Sequence, residues 1–238
     1  MRPQRTHLDA LRSELQLRGS QVVDVGCGTG ALTRLIAREG ASVVGVDPSA
    51  DAIGVAVAGA GPSERYLVGC AEDLPVPDQR ADAVTFLNSL HHVATDALNQ
   101  ALAEARRALR RDGVVYVQEP LAEGRYYEVV RLLEDETEVR AAAQRALRDA
   151  GLVGLELIRE LEYDALVHHR DFGAFRDRVL LADPNRARAL ADRASEIEER
   201  FYRSARRDGE GWSFLAPTRV TVLLRPSTTD LDNEGEDA

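Results

Sequence analysis

The stretch Val22-Val23-Asp24-Val25-Gly26-Cys27-Gly28-Thr29-Gly30 decides the fold of this chain. Its apolar first half is typical of a buried strand, and its three alternate glycines let the backbone turn sharply and approach a ligand. A helix is predicted over 31–39, and the N–H groups of its first turn face the same space. The stretch therefore predicts a nucleotide-cofactor site, although the pattern G-x-G-x-x-G/A also occurs in dinucleotide-binding proteins.

Three later segments follow the glycine loop with regular order and spacing: 43–49 (VVGVDPS), 69–75 (GCAEDLP) and 82–93 (DAVTFLNSLHHV). Together the four segments resemble the motifs of the class I S-adenosylmethionine-dependent methyltransferases, closest to the branch that includes ubiquinone and menaquinone biosynthesis enzymes. The resemblance covers about 22–161 and, more loosely, 219–224. One departure is Ala81, which stands where this branch usually has an aromatic residue immediately before the acidic residue that Asp82 matches.

The resemblance implies S-adenosylmethionine as cofactor and S-adenosylhomocysteine as its product. It implies that Asp47 accepts hydrogen bonds from the ribose hydroxyls, a role that suits a carboxylate. It also implies that Cys70 and Ala71 lie beside the adenine and that Asp73 accepts a hydrogen bond from the adenine amine. The expected cofactor-binding residues are Asp24, Gly26, Cys27, Gly28, Gly30, Asp47, Pro48, Ala71, Glu72, Asp73 and Asn88.

Composition limits the class of protein. With 238 residues, 44% of them hydrophobic, the chain can form one substantial core. Its formal charge of −10 argues against a nucleic-acid partner. We find no signal peptide and no apolar run of the roughly 20 residues that span a bilayer, which predicts a cytoplasmic protein, monomeric or homodimeric. The two cysteines lack CxxC spacing, and we expect no metal.

Strands alternate with helices, which predicts an α/β, Rossmann-like doubly wound sheet. By resemblance its seven strands have the order 3-2-1-4-5-7-6 with the seventh antiparallel, and the sixth and seventh are expected near 155–161 and 219–224. The domain should cover 1–225, with a helical insertion at about 164–212 that is either a substrate lid or a cover for the sheet. The composition of residues 226–238, rich in Asp, Glu, Thr and Ser, predicts a disordered acidic tail.

Candidate catalytic residues follow the fourth and fifth strands. His92 and Glu119 form the preferred pair for proton transfer, with His91 turned toward the scaffold, since imidazole accepts protons near neutral pH. Each also has a structural alternative, either packing for the histidines or a local backbone hydrogen bond for Glu119. Aromatic residues Tyr126, Tyr127, Trp212 and Phe214 fit either a pocket wall or plain core. The acidic run 134–136 predicts a solvated loop and helix start.

These features predict an enzyme that methylates a small molecule at oxygen, carbon or nitrogen. Alternatives are an NAD-dependent oxidoreductase, a cofactor-binding regulatory module without methyl transfer, and an RNA methyltransferase. The acceptor, its reacting atom and the need for a general base stay open.

Overall fold

A computed structural model describes residues 1–227 of the chain. Its strands are β1 (Gln21–Val25), β2 (Ser42–Asp47), β3 (Glu64–Val68), β4 (Ala81–Leu87), β5 (Leu109–Pro120), β6 (Glu156–His169), β7 (Arg206–Asp208) and β8 (Gly211–Leu224). Its α-helices are α1 (His7–Glu14), α2 (Ala31–Arg38), α3 (Ala50–Ala58), α4 (Leu98–Ala108), α5 (Gly124–Val130), α6 (Thr137–Arg148), α7 (Phe172–Ala182), α8 (Ala187–Asp192) and α9 (Ala194–Ser204). Residues 228–238, most of the predicted tail, lie outside the described residues.

The sheet confirms the predicted Rossmann-like class. Its order is β3-β2-β1-β4-β5-β8-β6, and β8 runs antiparallel to both β5 and β6. The one difference from the predicted order is an extra short strand, β7, which pairs with β8. It forms a hairpin whose turn contains Gly209 at φ +56°, a conformation that glycine adopts readily.

Strands β6 and β8 are longer than predicted. They pair with each other from Glu156 opposite Leu224 to His169 opposite Trp212, well beyond the segments expected from the sequence. This pairing joins residues far apart in the chain, so local sequence patterns do not reveal it. As a result, the helical part of the insertion runs only from α7 to α9, within the expected 164–212.

Both faces of the sheet are covered. Helices α4 and α6 pack on one face, where Phe86 and Leu102 are fully buried, and α1 and α2 pack on the other around Leu11 and Ile36. Each such side chain stabilises the fold by about 1.5–3 kcal/mol through its burial. The carboxyl ends of the parallel strands stay free of these helices, and that edge is where ligands bind in such sheets.

The inserted helices form a smaller core of their own. Phe175 and Val179 of α7 pack with Ile197 and Phe201 of α9, and this cluster rests on α5 and on Phe214 of β8. Asp171 caps α7 by accepting a hydrogen bond from the Ala174 N–H at 2.8 Å. In residues 1–227, no helix is both long and apolar enough to cross a membrane.

Candidate functional site

The glycine loop between β1 and α2 has the geometry that its sequence predicts. Gly26, Gly28 and Gly30 have φ of +75°, +53° and +78°, a region that favours glycine. A Cβ on Gly26 would lie 2.4 Å from the Cβ of Ser89, while one on Gly28 would meet no atom within 4 Å. The loop therefore packs tightly against the β4 end at Gly26 and leaves open space at Gly28.

Asp47 stands at the end of β2, opposite this loop. Its Oδ2 accepts a hydrogen bond from the Gly28 N–H at 2.8 Å, and its Oδ1 accepts one from the Ser49 N–H at 2.9 Å. A carboxylate oxygen has two lone pairs, so each can accept a further bond from a ligand hydroxyl. Asp47 thus fixes the loop and still offers acceptors at the cleft.

A cleft of about 540 Å³ follows these residues along the carboxyl edge of the sheet; we call it the cofactor cleft. Six of the predicted cofactor-binding residues line it: Gly26, Asp47, Pro48, Ala71, Glu72 and Asn88. Cys70, which the resemblance places beside the adenine, also lines the cleft, together with residues that were not predicted, such as Phe86 and Ser89. Its lining combines the carboxylates of Asp47 and Glu72 with small and apolar groups.

The other five predicted cofactor residues do not line this cleft. Gly28 and Gly30 shape the loop beside it, and Cys27 packs toward Gly45 and Tyr66, where burial raises the pKa of its thiol to about 12. Asp73 is exposed, and its N–H bonds to the Cys70 carbonyl.

Asp24 is buried beneath the loop, 2% exposed. Its two oxygens accept hydrogen bonds from the hydroxyls of Thr33, at 2.6 Å, and Thr85, at 3.1 Å. Burial raises the pKa of this carboxyl to about 6 against the lowering effect of the two threonines. Asp24 therefore joins β1, α2 and β4 from within the protein.

A second cavity, of about 310 Å³, lies next to the cofactor cleft; we call it the acceptor cavity. Its walls come from α1, the ends of β4 and β5, α5, β6, α7 and β8. Apolar residues such as Val130, Val167 and Val179 form much of its surface. The two spaces share three residues: Asn88, His92 and Ala182.

The structure pairs Glu119 with His91 rather than with His92. Glu119 is 2% exposed, its Oε2 accepts a hydrogen bond from His91 Nδ1, and its Oε1 accepts one from the Leu90 N–H at 2.9 Å. Both carboxylate oxygens are thus occupied, which matches the backbone-bonding alternative. The reason is the 3₁₀ turn at Leu90–His92, which directs successive histidine side chains differently.

His92 lies at the junction of the two cavities, and its ring is 4.0 Å from that of His91 between centroids. Although its surface opens to both cavities, the surrounding protein desolvates the ring. This desolvation, with the neighbouring His91, lowers the pKa of His92 below its usual 6.5. The ring is therefore neutral at physiological pH and able to accept a proton.

Glu136 is a cavity residue that the sequence interpretation missed. The acidic run is not uniformly solvated, since Glu136 is 6% exposed and accepts hydrogen bonds from Arg140 and, at 2.8 Å, from Arg186. Burial alone would raise its pKa, but the charges of Arg140, His91 and Arg186 lower it. The four-residue spacing from Glu136 to Arg140 was a usable signal, whereas Arg186 joins them from the insertion.

Ligand atoms of His91, His92 and Glu136 lie within 4.8 Å of one another, close enough for a metal ion. However, the Glu136 carboxylate already pairs with two guanidinium groups, whose positive charge opposes a bound cation. The donor set therefore does not favour metal binding.

The predicted aromatic residues divide between the cavity and the core. Tyr126 and Tyr127 line the acceptor cavity. Phe214 belongs to the insertion core, and Trp212 packs on Tyr202 with ring centroids 4.9 Å apart. The insertion itself contributes Arg178, Val179, Ala182 and Arg186 to the cavity wall. It is therefore part of the site and not only a cover of the sheet edge.

Comparisons with known proteins point to one family. A family described as "Methyltransferase domain" matches residues 23–117. The ubiquinone biosynthesis O-methyltransferase of Rhizobium etli is 37% identical over 109 residues, 44% of this chain and 43% of that protein. An uncharacterized methyltransferase of Synechocystis sp. is 35% identical over 96 residues, 40% of this chain and 45% of that protein. The chain thus spans less than half the length of these curated relatives.

Solved structures share the fold over nearly the whole chain. Protein BH2331 of Bacillus halodurans superposes with a TM-score of 0.64 at 22% identity, covering 93% of this chain and 99% of that one. The [4+2]-cyclase SpnF superposes with a TM-score of 0.60 at 19% identity, covering 92% of this chain and 80% of that one. The second comparison shows that this fold also occurs in a protein named for a different reaction.

Proposed function

We propose that this chain, whose residues 23–117 match a methyltransferase domain, is a class I S-adenosylmethionine-dependent methyltransferase that transfers a methyl group from that cofactor to a small molecule. The observation that carries the proposal is that the cofactor cleft and the acceptor cavity meet at Asn88 and His92. A donor and an acceptor bound in adjoining spaces are held in the short contact that transfer requires. The formal charge of −10 weighs against a nucleic-acid acceptor.

The cofactor cleft fits S-adenosylmethionine. We assign the ribose to Asp47, whose oxygens face the cleft beside the open space at Gly28. We assign the adenine to Cys70, Ala71 and Glu72, which line the same cleft. When bound, the cofactor supplies a methyl group made electrophilic by its sulfonium. The protein then has to align the acceptor and, where the acceptor carries a proton, remove it.

We assign proton removal to His92. It is the histidine that reaches both spaces, and its lowered pKa keeps it neutral. His91 and Glu119 are positioning residues in this proposal, because their mutual hydrogen bond and the bond to the Leu90 N–H fix the turn that carries His92. The name of the Rhizobium relative makes a hydroxyl the first acceptor group to test. The cytoplasmic location and the oligomeric state stay predictions.

Calorimetry tests the cofactor assignment. We expect S-adenosylhomocysteine to bind, with no comparable heat from NAD or NADP. Tight binding of NAD without binding of S-adenosylhomocysteine would overturn the assignment in favour of the oxidoreductase alternative.

A second experiment separates methyl transfer from cofactor binding alone. Methyl-tritiated S-adenosylmethionine is incubated with the protein and a panel of small phenols, alcohols and amines. Label should pass to an acceptor, and the rate should fall about 10²–10⁴-fold in His92→Ala, the range for a lost general base. Cofactor binding without any label transfer would instead identify a binding module.

A further inference from the structure

The wall of the acceptor cavity includes an exposed arginine, Arg178, on α7. Its other arginines are satisfied: Arg140 pairs with Glu136, and Arg186 pairs with Glu134 and Glu136. Within residues 1–227, Arg178 forms neither an ion pair nor a side-chain hydrogen bond, although it lines the same cavity. An arginine facing a partly enclosed cavity without a carboxylate is available to an anionic ligand.

The remaining charges of the cavity do not compensate for Arg178. Glu123 pairs with Arg2, and both Glu134 and Glu136 are held by Arg186. Burial lowers the pKa of both His7 and His169, and the positive charge of Arg178 lowers each of them further. Both rings are therefore neutral at physiological pH and add no competing charge. Among the charged residues that line the cavity, Arg178 is therefore the one whose charge no other residue of 1–227 pairs with.

The other residues of the cavity wall indicate what kind of molecule would fit beside Arg178. Its walls there are apolar, with Val130, Val167, Val179 and Ala165 facing a space of about 310 Å³. His7 also lines the cavity and is held by a hydrogen bond of 2.7 Å between its Nδ1 and the Tyr163 hydroxyl. Tyr163 in turn donates to Gln118 Oε1 at 2.9 Å, which fixes the imidazole at the wall. A small apolar molecule fits such walls better than a sugar or a peptide.

We propose that the methyl acceptor is a small, mainly apolar carboxylic acid whose carboxylate pairs with Arg178 and whose second polar group, the hydroxyl or amine that takes the methyl and gives up its proton, lies at His92. A single guanidinium matches one monoanionic carboxylate, and it pairs with it through two parallel hydrogen bonds. A phosphate dianion would exceed the single positive charge that the lining leaves unpaired within residues 1–227. This inference rests on the proposed function, because it names the class of molecule that receives the methyl group.

Because Arg178 lies on α7, it contributes in this proposal to substrate selectivity. Neighbouring Val179 is anchored in the insertion core, and Ala182, one turn later, borders both the cofactor cleft and the acceptor cavity. A carboxylate held by Arg178 would therefore be bound by the same helix that borders the cofactor. The insertion then selects the acceptor while the sheet holds the cofactor.

Ligand-observed NMR with three carboxylates tests this inference in the presence of saturating S-adenosylhomocysteine. The probes are benzoate, 3-phenylpropionate and octanoate, each compared with its uncharged amide. We expect at least one carboxylate to bind about fivefold or more tightly than its amide. In Arg178→Gln this preference should disappear, while the affinity for the amide stays within twofold.

Arg176→Gln is the matched control, because Arg176 is exposed on the same helix, pairs with Asp177, and does not line the acceptor cavity. It should keep the wild-type preference. The inference is overturned if no carboxylate is preferred over its amide, if Arg178→Gln keeps the preference, or if phenyl phosphate binds more tightly than all three carboxylates.

Titration of S-adenosylhomocysteine into each variant separates this failure from failure of the proposed function. Normal cofactor binding without a carboxylate preference removes only the acceptor class. Absence of cofactor binding in the wild type removes the methyltransferase proposal itself.

Discussion

Asp47 and Asp24 show how the same residue type takes different tasks in one site. Asp47 holds the loop through the Gly28 and Ser49 N–H groups and keeps acceptors at the cleft. Asp24 lies only two residues before Gly26, yet the hydroxyls of Thr33 and Thr85 take up its carboxylate inside the protein. Both carry the loop, but only Asp47 is placed to bind a ligand directly.

Replacing Asp47 tests its role in cofactor binding. Asp47→Asn keeps the size of the side chain but exchanges one acceptor oxygen for a donor and removes the charge. Lost charge-assisted hydrogen bonds are worth about 1.5–3 kcal/mol each, so affinity for S-adenosylhomocysteine should fall at least about tenfold by calorimetry. Asp51→Asn, an exposed change in the first turn of α3, should bind normally. Wild-type affinity in Asp47→Asn would remove the residue from the site.

The raised pKa of Asp24 predicts a specific dependence of stability on pH. Its pKa rises from 3.8 unfolded to about 6 folded, so the folded state binds the proton more tightly. The resulting stability is present below about pH 4 and is lost as pH rises through 6, by up to about 3 kcal/mol. Denaturant unfolding of wild type and Asp24→Asn from pH 4 to 7.5 measures this. The wild-type stability should fall relative to the mutant as pH rises, and a constant difference would contradict the buried carboxyl.

At the scale of elements, the site is a set of strand ends whose loops are held at fixed distances. The glycine loop approaches the β4 end at Ser89, and Gly30 approaches Tyr66 of β3 closely enough that a Cβ would lie 2.5 Å from its hydroxyl. The 3₁₀ turn at Leu90–His92 is bound to the end of β5 through Glu119. The shape of the site therefore depends more on backbone geometry at these loop contacts than on helix propensity.

Two glycine substitutions compare a glycine at a tight loop contact with a glycine inside a helix. Gly26→Ala places a methyl 2.4 Å from Ser89 Cβ at a φ of +75°, so it should destabilise the protein by about 1–3 kcal/mol and impair cofactor binding. Gly54→Ala, inside α3 with no atom within 4 Å, should stabilise it by about 0.5–1 kcal/mol. Urea unfolding measures both, and equal effects of the two changes would contradict the assigned geometry.

On the scale of the whole molecule, the sheet and the insertion have separate cores and meet at the site. The sheet supplies the cofactor cleft. Helix α7 and Arg186, which lies in the short turn after that helix, complete the acceptor cavity. Ala182 touches both spaces. The insertion is thus placed to respond to cofactor binding, which a mere cover of the sheet edge would not do.

Hydrogen exchange with and without S-adenosylhomocysteine tests this coupling. Protection should increase at the glycine loop and at 69–72, which form the cofactor cleft, and also at the last turn of α7 around Ala182. The outer residues 156–161 of β6, far from the cleft along the strand, serve as the internal control and should be unchanged. Protection of the sheet loops without any change in α7 would make the insertion a static cover.

By itself, the sequence determined the parallel part of the sheet, the glycine loop and the strand ends that line the cofactor cleft. These features depend on short-range rules of periodicity, backbone conformation and capping, which are written in neighbouring residues. Only the tertiary structure decided that β6 and β8 pair along their full length, that Glu119 binds His91, and that Arg186 reaches Glu136. It also placed Arg178 at the acceptor cavity. These contacts join residues that are 28 or more apart in the chain, and their energies depend on burial and charge that exist only once the chain has folded.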